Sequence, residues 1–493
     1  MGKKYLYGAS VQGIQGFIMK TNDLKPIIGA SELVDRICTS MFDEYAPSEG
    51  APDIENIVRA AGNIKVLFGK KEDCKRAFRE FPKKVMLAAP GITISQAVVV
   101  FEDEKKDEYE AAIDDLEERL RAGRNKPVRP LYPGVIGMAR APKTGEPAVD
   151  DRGGEYVDYA TYSKLNVLKK GKGLSQDYSG LVKKAFGGGV PELLVDNDQL
   201  AEGCGWLAIV HADGNGFGQI VQKLGRDRTL FPKLSVTIDE CTRGAFQDAF
   251  NEIYPEEQTF AQYHIRPLVL SGDDVTFICR ADIAVPFVKS FLNHFEKKTS
   301  EKLSALAENL KDQESKKLLD RGLTACAGIA FMKPSYPFHY AYNLAESLCH
   351  AAKVDAKQID SAPSCLMFYK IQDSIISDWK VMATRELGYS GGTFMFGPYY
   401  LNKQEDVVLK DRWTIEQLQS DVVLLKENNS MKSSLRRWIS AMYSDKGKAE
   451  QLKKRYCLIH PSDKGAFDRF TKTQGGRCPA YDLLTMLVMT KMV

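Results

Sequence analysis

Two segments far apart in the chain follow one pattern, and that repetition limits the fold more than any other feature. "ENIVRAAGNIKVLFGK" (Glu55 to Lys70) and "RPLVLSGDDVTFICR" (Arg266 to Arg280) each run from a small residue through a glycine into an apolar strand. Aligning the glycines sets Gly62 on Gly272, Asn63 on Asp273 and Ile64 on Asp274, so the first copy lacks both acids. The flanks agree as well. "KYLYGASVQGIQGFI" near the start parallels "GWLAIVHADGNGFGQI" from Gly205, and "PGITISQAVVVFED" (Pro90 to Asp103) parallels "RGLTACAGIAFMKP" (Arg321 to Pro334). Each copy therefore reads as strand, helices, hairpin, helix, strand, helix. Such an order predicts an α+β fold of the ferredoxin-like, split β-α-β-β-α-β kind, an antiparallel sheet covered by helices on one face.

Between the copies, prolines from Pro127 to Pro133 and the triplet Gly187 to Gly189 predict an irregular connector. After the second copy the chain turns basic. Residues 430–493 hold thirteen Lys or Arg against five Asp or Glu, with Leu, Trp, Ile and Met at helical spacing, as in "SSLRRWISAMY". This reads as a small helical domain whose basic face is either solvated or turned to RNA or a protein partner. The boundaries expected are residues 1–124 for the first copy, 125–203 for the connector, 204–375 for the second copy and 376–493 for the basic helical domain.

Length and composition fit this reading. A chain of 493 residues has room for three or four domains, and 44% hydrophobic and 27% charged content with a net charge of +3 is ordinary for a soluble protein. No apolar run reaches a membrane span, and "MGKKYLYGAS" lacks the apolar stretch of a secretory signal, so a cytoplasmic location without membrane contact is expected. The ten cysteines form no C-x-x-C pair, which argues for reduced, packed thiols rather than a zinc ribbon.

The chemistry lies in the second copy. The strand "LAIVHADGNGFG" ends at Asp213 and is expected to lie beside the Ser271–Gly272–Asp273–Asp274 hairpin, which brings Asp213, Asp273 and Asp274 together. Three close carboxylates repel unless a cation neutralises them, and hard oxygen donors suit two Mg²⁺ or Mn²⁺ ions shared with substrate phosphates. That apparatus serves in-line attack of a hydroxyl on an α-phosphate. The loop Gly214–Asn215–Gly216–Phe217–Gly218 lets backbone approach a triphosphate where a helix begins, and the Gly214 carbonyl can join the metal shell. In "LAESLCHAAKVDAK", Leu344, Leu348, Ala351 and Ala352 form an apolar face, and Lys353, one turn before Lys357, is the candidate phosphate ligand. His350 reads as a satisfied histidine near the core. Strand alternation turns His211 to the face opposite Asp213's neighbours.

In order along the chain, "VHADGNGFG", "LSGDDVTFI" and "GIAFMKPSYPFHYAYNLAESLCHAAK" resemble the Palm domain shared by GGDEF diguanylate cyclases, class III nucleotide cyclases and the polymerase/cyclase large subunit of type III CRISPR complexes. The CRISPR subunit is the best match. "GIQGFIMKTNDLKPIIGASELVD" is similar to the start of its degenerate first Palm, and the likeness runs over roughly residues 1 to 400. The resemblance implies tandem Palms that bind two ATP molecules across their interface and join them into cyclic oligoadenylates for antiviral defence. By position it implies Asp213 and Asp273 as metal ligands, Asp274 as a metal or nucleotide-positioning acid, Gly272 as the close-approach residue, and Ser10 and Ser31 near the acceptor nucleotide. Ser271 replaces the first glycine of the family's hairpin, and neither a His-Asp pair nor the Cys-rich zinc site is present, which implies a trimmed relative without the HD nuclease. Two other functions fit the same residues: an RNA–protein scaffold subunit whose Palm only binds nucleotide, and a template-directed polymerase.

Overall fold

The computed structural model describes residues 2–48, 51–60, 62–103, 106–125, 137–167, 185–186, 194, 196–255, 263–308, 310, 312–359, 362–372, 379–402 and 411–490. The proline run and the glycine triplet expected in the connector lie outside the described residues.

The first copy comprises β1 (Lys3–Gln12), α1 (Ile14–Ile18), α2 (Leu24–Cys38), β2 (Ile54–Ala60), β3 (Asn63–Phe68), α3 (Lys71–Ala88), β4 (Thr93–Glu102) and α4 (Lys106–Arg124). Its sheet has the order β2-β3-β1-β4, with every pairing antiparallel. Beyond it come a small hairpin of β5 (Ala148–Asp151) and β6 (Tyr156–Asp158), then α5 (Tyr159–Val167) and α6 (Asn197–Leu200). The described part of the connector thus combines these short regular elements with turns and coil over residues 137–147 and 152–155.

The second copy repeats the order with β7 (Leu207–Asn215), α7 (Phe217–Leu224), α8 (Leu230–Ile253), β8 (Ile265–Ser271), β9 (Asp274–Arg280), α9 (Ala281–Ala307), α10 (Gln313–Asp320), β10 (Thr324–Met332), α11 (Phe338–Ala356) and β11 (Cys365–Lys370). After it follow α12 (Trp379–Leu387), a short hairpin β12 (Gly388–Tyr389) and β13 (Gly392–Thr393), β14 (Tyr399–Tyr400), α13 (Ile415–Glu427), α14 (Asn429–Ser444), α15 (Lys446–Ile459), α16 (Lys464–Phe470) and α17 (Ala480–Met489). The second sheet is β14-β11-β10-β7-β9-β8, so the repeated core β8-β9-β7-β10 is widened by β11, parallel to β10, and by β14.

Helices cover both faces of this sheet. Phe277 of β9 packs against Phe246 of α8 and Phe287 of α9 on one face. On the other, His211 of β7 meets Tyr342 of α11, and Gly328 of β10 lies under the α11 backbone. The cover on one face expected from the element order is therefore joined by a second, because the helix after the last repeated strand crosses back to reach β11.

The two copies are tied together. Arg228, between α7 and α8, pairs with Glu55 at 2.6 Å and Asp103 at 2.8 Å, both in the first copy. Gln15 of α1 donates to the Tyr342 hydroxyl at 2.8 Å. In the basic segment Leu435, Trp438 and Met442 of α14 are buried while Arg436 and Arg437 are exposed. All ten cysteines are free, and Cys204 and Cys457 are the two not buried. No helix among the described residues is long and apolar enough to cross a membrane.

Candidate active site

β7 is the strand around which the site forms, because it is paired on both sides and delivers Asp213 near its end. Asp213 stands directly opposite Asp274 on β9. Ser271 pairs with Asp274 across a two-residue turn of Gly272 and Asp273, with Gly272 at φ +61°. A glycine at positive φ in the first turn position is the requirement of the tight hairpin turn whose twist matches the strands. Asp273 packs so closely on Gly214 that a Cβ there would lie 2.8 Å from the Asp273 Cβ, and the Gly214 N–H donates to the Asp273 carbonyl at 3.2 Å.

Register corrects the alignment of the two copies by one residue. In the first copy Ser10 faces Asn63 as Asp213 faces Asp274, so Asn63 is the counterpart of Asp274 rather than of Asp273. Gly62, at φ +75°, directly precedes Asn63, whereas Gly272 lies two residues before Asp274. Either central position of a tight turn can take the glycine, so glycine matching slips by one. The acid pair of copy two is thus a hydroxyl and an amide in copy one, with Ser10 Oγ 3.3 Å from Asn63 Oδ1.

Burial first, then the charge of Asp213, raises Asp274 from the ordinary carboxylate value to about 7. Burial and Asp213 raise Asp273 as well. Asp274 Oδ1 is buried and accepts no hydrogen bond. His211 Nδ1 lies 3.5 Å from it but bonds Thr276 Oγ1 at 3.1 Å, and burial lowers the His211 pKa, which favours the neutral ring. Lys353 of α11 places its ammonium on the Asp213 carboxylate and 2.8 Å from the Gly214 carbonyl. In this structure Lys353 is therefore bound to the expected metal ligands and not free for a phosphate.

An orphaned carboxylate oxygen, two carboxyls held high and a lysine cation seated on a third carboxylate and a backbone carbonyl fit a hard divalent cation. Among the described residues no three carboxylate, His or Cys side chains converge to hold an ion by themselves, so the expected triple convergence is looser than the sequence implied. Lys353 occupies the Asp213 carboxylate, while Gly214 holds only the Asp273 backbone carbonyl, which leaves coordination to be completed by ligand oxygens, as is usual for Mg²⁺.

Asp274 and Ser271 open onto a cavity of about 580 Å³ between the copies, lined also by Gln15, Ser31, Arg59, Arg243 and Tyr342. Ser31 lies on this wall, yet its hydroxyl donates to the Leu268 carbonyl, where β8 bulges out of register. Ser10 does not line it: it is buried, bonded to Asn63 and approached by Arg124 at 3.3 Å. The Asn215 amide points inward, to Thr324 Oγ1 at 3.0 Å and the Ala362 carbonyl at 3.2 Å, so that this residue can offer a ligand only its backbone. Phe217 packs on the core, while Gly216 and Gly218 are exposed at the start of α7, which has no side-chain cap. Lys357 lines a second cavity of about 350 Å³ with Asn215, Gly216 and Arg321. His350 is exposed on α11, not near the core, because it falls opposite the buried Leu344–Leu348 stripe.

A repeated antiparallel sheet with an acidic hairpin in one copy and its neutral counterpart in the other defines a tandem-palm protein. Residues 206–360 match the family model for the Cas10/Cmr2 second palm domain. No curated protein matches the chain in sequence. Among solved structures it is similar to the Csm1–Csm4 cassette in complex with pppApApA, at 13% identity and TM-score 0.56 over 99% of this chain and 69% of that one. It is also similar to the Csm1–Csm4 subcomplex of the type III-A CRISPR-Csm interference complex, at 13% identity and TM-score 0.53 over 99% and 70%. The cassette in complex with cA4 gives 12% identity and TM-score 0.51 over 99% and 70%. At such identities the likeness is one of fold.

Proposed function

We propose that this protein is a metal-dependent nucleotidyltransferase that joins ATP or other nucleoside triphosphates into a cyclic oligonucleotide messenger, acting in CRISPR-type antiviral defence. The observation that carries the reading is the Asp213–Asp274 pair, with Asp273 on the adjoining turn, of which Asp274 lines a cavity walled by both palms. About 580 Å³ is within the range of nucleotide-sized sites. Csm1–Csm4 cassettes of this fold have been solved with one ATP, AMPPNP, pppApA, cA3 and cA4, which supports nucleotides as the ligand class.

Asp213, Asp273, Asp274 and the Gly214 carbonyl would hold Mg²⁺ or Mn²⁺. The bound ions supply activation of the attacking 3′-hydroxyl and neutralisation of the leaving pyrophosphate. The chain's own groups do the rest. Gly216 and Gly218 bring backbone close to the triphosphate, Lys353 exchanges the Asp213 carboxylate for phosphate oxygens, and Ser271 borders the nucleotide with a hydroxyl. Ser31 and Arg243 wall the acceptor side. The basic face of α14 is the surface offered to RNA or effector subunits.

Lys353 favours a second reading. Seated on Asp213 and Gly214, it blocks the acid cluster, as a scaffold subunit with a nucleotide-binding but inactive palm would permit. Incubating the protein with each nucleoside triphosphate and Mg²⁺ or Mn²⁺, with and without added RNA, and resolving products by mass spectrometry separates the two. An oligonucleotide product supports the synthetase, and its absence under every condition supports the scaffold.

A further inference from the structure

The hairpin turn poses a problem of backbone satisfaction. Gly272, at φ +61°, directs its N–H and carbonyl away from the β8–β9 ladder, so neither strand can bond them. Both groups are taken up by one helix. Asp239 Oδ1 of α8 accepts from the Gly272 N–H at 3.2 Å, and the Thr242 hydroxyl of the same helix donates to the Gly272 carbonyl at 2.5 Å. These residues are three apart, hence neighbours on one helical face. Thr242 is fully buried, and the second Asp239 oxygen is held by Arg243 at 2.6 Å, whose side chain lines the interdomain cavity. From the opposite side, the Gly214 N–H holds the Asp273 carbonyl. The turn is gripped from two directions, and the side chains that follow are Asp273 and Asp274.

We propose that Asp239 and Thr242 are positioning residues that fix the acid hairpin for cation binding, a role that rests on the nucleotidyltransferase reading. Asp273 on the turn and Asp274 at the first position of β9 can serve one ion only if the turn is held to a fraction of an ångström, and its own strands hold only Ser271 and Asp274. Thr242 is fully buried, and Asp239, at the cavity wall, is turned to Gly272 and Arg243. Each acts through Gly272.

The test is Mn²⁺ binding to the full chain, read by electron paramagnetic resonance without nucleotide, with thermal melts alongside. Thr242→Val and Asp239→Ala are expected to weaken Mn²⁺ binding about 10- to 100-fold, the usual consequence of removing an outer-shell partner. Thr242→Ser and Asp239→Asn, which keep a donor and an acceptor for Gly272, stay within about threefold of wild type. In the synthesis assay Thr242→Val lowers kcat and leaves the nucleotide KM unchanged. Wild-type Mn²⁺ affinity in folded Thr242→Val and Asp239→Ala overturns the proposal. Should Thr242→Val fail to fold, the contrast of Asp239→Ala with Asp239→Asn decides, and equal affinity in those two overturns it. Because Mn²⁺ is measured without nucleotide, a wild-type chain that binds Mn²⁺ but makes no product sinks the reaction and leaves the clamp standing.

Discussion

Asp213 faces Asp274 across adjacent antiparallel strands, at the register position where the first palm sets Ser10 against Asn63. A carboxylate pair attracts a cation and a hydroxyl–amide pair does not. Asp213→Asn is accordingly expected to reduce Mn²⁺ affinity by more than the about 100-fold upper bound for outer-shell changes, while Ser10→Ala leaves it unaltered. Equal losses in both variants would mean that the ion does not discriminate between the palms.

The elevated Asp274 carboxyl makes stability and metal binding depend on pH in opposite senses. Its folded pKa of about 7 lies above the ordinary value of 3.8, so the metal-free folded state holds the extra proton between those values. This group's contribution to stability is fully present below the unfolded value and is lost as pH rises through the folded one. Urea midpoints of metal-free protein should fall from about pH 5 to about pH 8, and less so in Asp274→Asn. Over the same range Mn²⁺ affinity should rise, since proton and cation compete. Asp482, also raised to about 7 by burial in the C-terminal domain, contributes to the slope in both proteins, so their difference reports Asp274 together with its neighbour Asp273.

Much of this site was legible in the sequence. The duplication, the hairpin and the β7 acid follow from apolar periodicity interrupted by glycine and aspartate, a local signal. What failed depends on register and on long-range contacts. The one-residue slip between Gly62 and Gly272 arose because glycine serves either turn position, and only the pairing of Ser10 with Asn63 reveals it. Asn215 gave no sign that its amide turns inward, since its partners Thr324 and Ala362 lie on distant segments. Asp239 and Thr242 were missed for the same reason: nothing within α8 marks them apart from ordinary polar helix positions. His350 could have been placed as exposed from its phase against Leu344 and Leu348.

Lys353 should behave as two different partners in turn. Without nucleotide it competes with the cation for Asp213, so Lys353→Ala is expected to bind Mn²⁺ at least as tightly as wild type. Its affinity for ATP should fall about 10- to 100-fold, the value of a lost charge-assisted bond to phosphate. Titration calorimetry with each ligand checks both halves, and a variant that loses Mn²⁺ while keeping ATP would reverse the assignment.

The close approach of α11 to the sheet is set by Gly328. A Cβ there would lie 2.0 Å from the Ala345 carbonyl oxygen and 2.4 Å from the Cys349 nitrogen, both helix backbone. Gly328→Ala must push α11 outward, costing about 1–3 kcal/mol as overpacking does, and carrying Lys353 away from Asp213. The expected result is a lower melting midpoint together with weakened ATP binding; an unchanged midpoint would show that the helix is not fixed at this point.

The most direct measurement is the product analysis itself: wild type and Asp273→Ala/Asp274→Ala incubated with nucleoside triphosphates and Mg²⁺ or Mn²⁺, with RNA added in parallel, and resolved by mass spectrometry. The acid hairpin account predicts a cyclic or linear oligonucleotide from wild type and none from the variant, both proteins melting cooperatively. The same product from the variant, or none from wild type under any condition, would contradict it.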